Sequence, residues 1–480
     1  MQRVVDGIIR YFPFFIGVYF LLQVGLRLLI TDSAVLDESE QIMLAQYFAW
    51  GYNAQPPLYT WLQRGVFELV GVSIFGLALL KNLLLFLTYF FVYKIGKLLT
   101  NSEIKSALAA LSLMLLPQII WGAQVDQTHT VLLTSATAMT LYYYFKIATG
   151  GSGRLDFILF GIVASVGLLA KYNFVLVLIA LAGTALLLPS YRQQFLQKKL
   201  IISILIGAVA VLPHFIWFLS HLDLATARTV GRMNVSQTGE NWQDTLHGLK
   251  DLFVSFIAFV SPFWLLFFGF FYKKWQRDSS VGTKAIIFYM IIVFIFLFVM
   301  IAITGVTNIK ERWLQPYLFL FPLVLFMQTS LEEVDKKVRI YIYMTLSIAL
   351  TVALIMIARP MIIDIKGKAS RANYPYQKVS QVLASVIDDK TIIYAEDKFI
   401  GGNLHLFFPE TTVITPSLPL QPYTLRDEVV LVYQENEPRE FLLKLQEEQF
   451  TCKESAVIKE FYIYSKKLYY SINYKICRKL

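Results

Sequence analysis

The sequence predicts a polytopic α-helical membrane protein with a small C-terminal α/β domain. Apolar residues make up 56% of the 480-residue chain and charged residues only 16%, a smaller charged share than soluble domains have. Long apolar runs alternate with short polar loops up to residue 358, and beyond it charged residues return and the runs shorten. We therefore predict a transmembrane domain at 1–358 and an extracytoplasmic α/β domain at 359–480.

Apolar runs of about 20 residues, the length that crosses a bilayer, recur along the first domain. The first run lacks a small-residue cleavage site and is too long for a signal-peptide core, so we interpret it as a retained anchor. Only Lys171 and Tyr172 separate the fifth run from the sixth. The sequence predicts about eleven spans: 11–31, 72–93, 105–122, 128–147, 155–170, 173–189, 199–219, 252–272, 284–304, 313–330 and 339–358.

The net charge of +10 comes from basic residues whose placement indicates how the chain is oriented in the membrane. Lys and Arg concentrate in alternate loops, which predicts a cytoplasmic N-terminus and a C-terminal tail on the opposite side. Their scatter between apolar runs does not form a nucleic-acid groove, so no nucleic-acid partner is expected. The chain also contains no Walker loop, GxGxxG turn or His/Cys metal spacing, which argues against cytoplasmic nucleotide chemistry.

An acidic segment follows the first span directly, with Asp37, Glu38 and Glu40 among four residues. Carboxylates near hydrocarbon are energetically expensive and usually mark function. A helix cap needs only one acid, whereas a divalent cation site or a general base uses one or more. An amphipathic juxtamembrane helix is predicted to continue through Ala49 and to end at Pro56-Pro57.

Other polar residues are predicted on the same face as the acids. Asp126, at the outer end of the third span, is a second site member or a helix cap, and His129 is expected on its helix face. His214 is a lone histidine among apolar residues in LPHFIW, which favours a structural role over a polar role in the site. Basic residues retained on this face against the positive-inside bias indicate an anionic ligand, or else snorkel to headgroups: Lys171, Arg228, Arg232, Lys310 and Arg312. In the loop 220–250 that contains two of them, a lid and an inert connector both remain open.

The tail alternates predicted helices and strands. Cys452 and Cys477, the only cysteines, both lie in it. They form a disulfide if the tail is in an oxidising compartment, and two free buried thiols fit the sequence equally well. Helices are predicted at 375–387, 401–408 and 438–449, and strands at 391–395, 413–415 and 428–433.

The Asp37-Glu38 pair after the first span, the amphipathic segment and Pro56-Pro57-Leu58 together resemble membrane glycosyltransferases of the GT-C type. More narrowly, the chain resembles the family of protein O-mannosyltransferases and bacterial lipid A aminoarabinose transferases. Asp126, the Lys171-Tyr172 pair, the Arg312-Trp313…Pro316 helix start and the α/β tail extend the resemblance over essentially the whole chain.

The resemblance implies an enzyme that uses a polyprenyl-phosphate sugar and acts on the periplasmic side of a bacterial inner membrane. The acceptor it implies is lipid A or another envelope glycan, with a protein hydroxyl second. We expect one cavity that combines catalytic acids, donor-phosphate ligands and substrate-binding residues. The expected catalytic acids are Asp37, Glu38 and Asp126. The expected donor-phosphate ligands are Lys171, Arg312, Arg228 and Arg232. The expected substrate-binding residues are Gln55, Tyr59, Tyr172, His214 and Trp313.

Two alternatives to this enzyme remain, a secondary transporter and a non-catalytic scaffold. The transporter is disfavoured by a predicted absence of Gly/Pro-broken midplane helices and of repeats. A divalent cation held by Asp37, Glu38 and His214 is also open. The E-K-P acid linked to a bound metal in the aminoarabinose branch is replaced here by Ala54-Gln55-Pro56-Pro57.

Overall fold

A computed structural model describes residues 2–225, 242–388 and 390–480, apart from the side chains of residues 453 and 454. The chain divides into two compact units. The first unit, called the helical unit below, consists of Met1–Leu21, Asn53–Leu58 and Lys81–Val352. The second, the mixed unit, consists of Leu22–Tyr52, Tyr59–Leu80 and Ala353–Leu480.

The helical unit contains most of the apolar helices, three of which continue into the mixed unit. The predicted break between the fifth and sixth spans is confirmed, because one helix ends at Ala170 and the next begins at Phe174. The described helices are Gln2–Arg10, Phe12–Ile30, Ile74–Thr100, Glu103–Leu111, Ala123–Asp126, His129–Ala148, Arg154–Ala170, Phe174–Leu187, Pro189–Phe195, Leu200–Ser220, Trp242–Val260, Phe263–Phe271, Val281–Thr304, Glu311–Leu318, Phe321–Met327 and Lys336–Met361.

Within the described residues, five helices are long and apolar enough to cross a membrane, or up to eight if each of three bent helix pairs is one span. The total of eleven spans therefore stays a prediction. The bends measure 69°, 116° and 59°, and they fall at Pro117, Pro189 and Pro262, where the missing N–H and the ring interrupt a helix. The helices are therefore broken at prolines, while the predicted absence of paired broken helices at the membrane midplane stays a prediction.

The mixed unit contains a five-stranded sheet of order β2-β1-β3-β5-β4. Strand β1 is parallel to β2 and β3, and β5 is antiparallel to β3 and β4. The strands predicted at 391–395 and 428–433 are confirmed with those bounds, whereas the β4–β5 hairpin was not predicted. The strands are β1 Thr391–Ala395, β2 Thr412–Ile414, β3 Glu428–Tyr433, β4 Phe450–Phe461 and β5 Tyr469–Lys479.

The hairpin places Cys452 opposite Cys477, and a disulfide joins them. Helices Tyr376–Leu383, Lys398–Phe407 and Arg439–Glu447 accompany the sheet, close to the three predicted tail helices. The core of the mixed unit also includes Met43 and Leu44. Residues that follow the first apolar helix therefore share a core with the C-terminal sheet.

The acidic segment forms a shorter helix than predicted. It spans Leu36–Leu44 and is called the acidic helix below, and the next helix is Leu58–Val70. The predicted continuation to Pro56-Pro57 is wrong. Gln46, just past the helix end, exchanges two hydrogen bonds with the backbone of Val413 in β2, at 3.1 and 3.0 Å. This pairing with the edge strand gives the chain an alternative to further helical turns.

Candidate functional site

Two of the three carboxylates on the acidic helix form buried ion pairs. Glu38, 1% exposed, lies 2.8 Å from Arg27 Nη2 and accepts a hydrogen bond from the Val35 N–H at 3.2 Å. Glu40 lies 2.7 Å from Lys398 Nζ. A buried pair that loses one partner leaves an uncompensated charge, so such pairs hold structure strongly. Glu38, predicted to be catalytic, thus has a helix-capping and ion-pairing role.

The third carboxylate, Asp37, is half-buried in the first turn of the acidic helix. Negative charge is favoured there because the first N–H groups of a helix point toward it. Tyr59, predicted to bind substrate, is buried beside this turn. Burial chiefly, and then the charges of Glu38 and Asp37, raise the pKa of the Tyr59 phenol, which stays a neutral hydrogen-bond donor. Asp37 therefore has a neutral hydroxyl group in its neighbourhood.

In the helical unit, Lys171 lies at the break between two apolar helices. Its backbone is extended, with φ −165° and ψ 138°, and its Nζ donates to Thr130 Oγ1 at 3.1 Å. His129 Nδ1 lies 3.3 Å from the carbonyl oxygen of Ala170. The break thus contacts the first turn of the helix that begins just after Asp126. Asp126 ends the preceding short helix, so the prediction that His129 shares its helix face is wrong.

The helix that carries Arg312 and Trp313 contacts the same region. Gln315 donates to Thr134 Oγ1 at 3.1 Å, and the Tyr317 hydroxyl donates to the Asn173 carbonyl at 3.0 Å. Arg312 is exposed, Trp313 is half-buried, and Arg312 forms no ion pair with any residue that the structure describes. The break at Lys171 and the helix of Arg312 therefore both contact the first two turns of the helix His129–Ala148.

Tyr172 and His214, both predicted to bind substrate, contact each other. The Tyr172 hydroxyl lies 3.3 Å from His214 Nε2, and the rings stack with centroids 5.9 Å apart. His214 is 3% exposed, and its role in structure or in substrate binding stays a prediction. Gln55 is half-buried, and its Oε1 has no hydrogen-bond partner among the described residues.

Some predictions lie outside the described residues. Arg228 and Arg232 fall within 226–241, and so does much of the loop 220–250 whose role as lid or connector was open. That Asp37 shares a cavity with Asp126, Lys171 and Arg312 also stays a prediction.

The sequence reading missed Lys81, a buried cation in an apolar helix. It is 2% exposed in the helix Ile74–Thr100, and its Nζ lies 3.4 Å from the Gln124 carbonyl oxygen. Gln124 also donates to Asn82 Oδ1 at 2.8 Å, so this contact ties the short helix of Asp126 to the longer one. A single charge inside LALLKNLLL was the available signal, because intramembrane charges are rare and functional.

The metal hypothesis does not fit the acidic helix. Among the described residues, no group of three or more His, Cys, Asp or Glu side chains is placed to hold a metal ion. Glu38, one of the suggested ligands, already bonds Arg27 and the Val35 N–H through the same oxygen, Oε2. No step of the reaction is derived through a metal.

Acids after the first span and cations at later helix ends are the groups that a membrane glycosyltransferase would use on its acceptor and on its donor phosphate. The chain resembles the crystal structure of ArnT from Cupriavidus metallidurans bound to undecaprenyl phosphate. The TM-score is 0.61 at 12% identity, over 96% of this chain and 97% of that one. The family model for dolichyl-phosphate-mannose-protein mannosyltransferases matches residues 54–217.

Two relatives from Rhizobium johnstonii match most of the chain. The lipopolysaccharide core galacturonosyltransferase RgtA is 30% identical over 410 residues, which cover 84% of this chain and 82% of that protein. The lipopolysaccharide core galacturonosyltransferase RgtB is 31% identical over 409 residues, with the same two shares. The chain belongs to this family of GT-C membrane glycosyltransferases, and it is an enzyme of that type.

Proposed function

We propose that the protein transfers galacturonic acid from a polyprenyl-phosphate donor to the core or lipid A part of lipopolysaccharide. The observation that carries this proposal is the identity of 30% and 31%, over 84% of the chain, to two lipopolysaccharide core galacturonosyltransferases. The likeness to ArnT, whose crystal structure holds undecaprenyl phosphate, supports a lipid-phosphate donor.

The reaction takes place on the periplasmic side of the bacterial inner membrane. The positive-inside pattern supports this orientation for the tail. The disulfide between Cys452 and Cys477 supports it independently, because disulfides persist in oxidising compartments.

Asp37 acts on the acceptor. Its carboxylate takes the proton from the acceptor hydroxyl, or orients that hydroxyl, as the hydroxyl oxygen attacks the anomeric carbon. The bond from that carbon to the donor phosphate breaks, and the lipid phosphate leaves. Asp126 supports the acceptor, and Glu38 holds the turn that carries Asp37.

Fixed cations bind the donor phosphate and stabilise the negative charge that it gains as the leaving group. Lys171 and Arg312 have this role, and we add Lys81, which is buried in the same helical unit. Arg is suited to a phosphate because its planar group donates two parallel hydrogen bonds.

Expression in a Rhizobium johnstonii strain that lacks RgtA tests this function. Mass spectrometry of the lipopolysaccharide should show that the core hexuronic acid returns with the wild-type protein and not with the Asp37→Asn variant. Unchanged lipopolysaccharide, despite normal amounts of the protein in the membrane, would contradict it.

A protein hydroxyl is the second candidate acceptor, because the family model that matches residues 54–217 describes a protein mannosyltransferase. In the same strain, sugar added to periplasmic proteins together with unchanged lipopolysaccharide would favour this acceptor.

A further inference from the structure

A helix of the C-terminal sheet region lies backbone to backbone against the acidic helix. This helix, Lys398–Phe407, is called the clamp helix below. A Cβ atom added to Gly402 would lie 2.3 Å from the Ser39 carbonyl oxygen, and one added to Gly401 would lie 2.9 Å from Met43 Sδ. Real Cβ atoms do not approach backbone atoms to 2.3 Å, so the glycine permits this contact.

A buried amide fixes how the two helices align. Asn403 is fully buried. Its Nδ2 donates to the Ala34 carbonyl and to Ser39 Oγ, both at 3.1 Å, and its Oδ1 accepts from the Ala34 N–H at 2.8 Å. Without this side chain the Ala34 N–H would lose its partner in a buried place, which is costly.

A buried ion pair adds a second link, one helical turn after Asp37. Lys398 Nζ lies 2.7 Å from Glu40 Oε2, with 9% and 13% of the two side chains exposed. Asp37 and Glu40 are three residues apart and therefore neighbours on one side of the helix. Any rotation or shift that the pair prevents in Glu40 is also prevented in Asp37.

We propose that Lys398 and Asn403 are positioning residues of the transferase, which hold the acidic helix so that the Asp37 carboxylate meets the acceptor hydroxyl. This inference rests on the proposed role of Asp37. Near-attack geometry is sensitive, and a displacement of about 1 Å can cost about 100-fold in rate. Lys398 and Asn403 of the clamp helix thus affect the turnover number, kcat, through the position of Asp37.

The first test uses two glycines that both lie inside helices. Gly402→Ala drives a methyl group into the Ser39 backbone, whereas at Gly65, in Leu58–Val70, the added Cβ meets no atom within 4 Å. Alanine favours a helix by about 1 kcal/mol in both places, so a loss at Gly402 is steric. With undecaprenyl-phosphate galacturonic acid and lipopolysaccharide that lacks core hexuronic acid, we expect Gly402→Ala to lower kcat at least about 10-fold. The donor KM and the Gly65→Ala variant should stay near wild type.

The second test is a charge swap, which remains informative if Gly402→Ala does not fold. Glu40→Lys and Lys398→Glu should each lower kcat about 10-fold or more. The double variant should recover most of the wild-type kcat, because it restores an ion pair. Lys398→Arg should keep most of the wild-type kcat, because it keeps the positive charge. Lys444→Met, at an exposed lysine of the same region that bonds Tyr423, is the control.

Asp37→Asn, measured in parallel, separates the two proposals. If it abolishes transfer while the Gly402, Glu40 and Lys398 variants keep wild-type kcat, the positioning proposal is wrong and the function stands. If Asp37→Asn itself keeps wild-type transfer, the role of Asp37 is wrong and the positioning role falls with it.

Discussion

Two regions of the molecule use charge in different ways. On the acidic helix, Glu38 and Glu40 are paired with Arg27 and Lys398, and both pairs are largely buried. At the helix break, Lys171 donates to a threonine hydroxyl, and the nearby helix presents Arg312 at the surface. Three acids together therefore do not mean three catalytic groups, because Glu38 and Glu40 both bind cations of the chain itself.

Asp37→Asn should have the largest effect on transfer, and Glu68→Gln is its matched control. The amide keeps the size of the side chain but cannot accept a proton, so kcat should fall about 100-fold or more. Glu68, 63% exposed and paired with Arg64, should tolerate its change. Equal transfer rates for the two purified variants would remove Asp37 from the mechanism.

Glu38→Gln tests whether the neighbouring acid is structural. Arg27, 13% exposed, would keep its charge and lose its ionised partner, which should cost about 3 kcal/mol of stability. Glu103→Gln breaks an exposed pair with Lys97 and should cost less than about 1 kcal/mol. Thermal unfolding of the full chain in detergent measures both. A Glu38→Gln protein with wild-type melting but no transfer would make Glu38 catalytic instead.

The sequence predicted those features of the fold that short-range patterns determine. Strands β1 and β3 are continuous apolar runs, and Lys171-Tyr172 interrupts two such runs. The β4–β5 hairpin was missed because KESAVIKEF places charges among its apolar residues, as suits a sheet edge.

The contacts between the acidic segment and the clamp helix could not be predicted from the sequence. Ala34 and Asn403 are 369 residues apart, and no local pattern shows which distant side chain meets which. Lys81 differs from these contacts, because the sequence itself shows a single charge among leucines. The sequence thus located the acids, while only the tertiary structure showed that Glu38 and Glu40 form ion pairs.

Lys171→Met tests whether the cation at the helix break binds the donor phosphate. If the ammonium group binds the donor phosphate, its loss should lower kcat/KM about 30-fold, equivalent to about 2 kcal/mol, through a higher donor KM and a lower kcat, since the phosphate gains charge as it leaves. Lys171→Arg should keep part of the activity, because it keeps the charge but not the geometry. Lys250→Met, at an exposed lysine, is the control. A Lys171→Met enzyme with an unchanged donor KM would contradict phosphate binding.

The clamp helix also contains a buried histidine whose protonation links the stability of the protein to pH. Burial lowers the pKa of His405 from 6.5 to about 4, and the ring lies 3.2 Å from the Thr411 carbonyl oxygen. The folded protein thus holds a neutral ring that the unfolded chain protonates below pH 6.5. The contribution of the neutral ring to the free energy of unfolding is complete above pH 6.5. It falls by about 1.4 kcal/mol per pH unit as the pH drops from 6.5 toward 4.

His405→Gln removes this titration and keeps a donor for the Thr411 carbonyl. Between pH 6.5 and 5, we expect the full-length wild type to lose melting temperature more steeply than the variant does. Since His405 and Asn403 share one helix, transfer by the wild type should also fall more steeply over that range. If the two proteins lose stability in parallel, other groups control the acid sensitivity, and the clamp helix does not link pH to the position of Asp37.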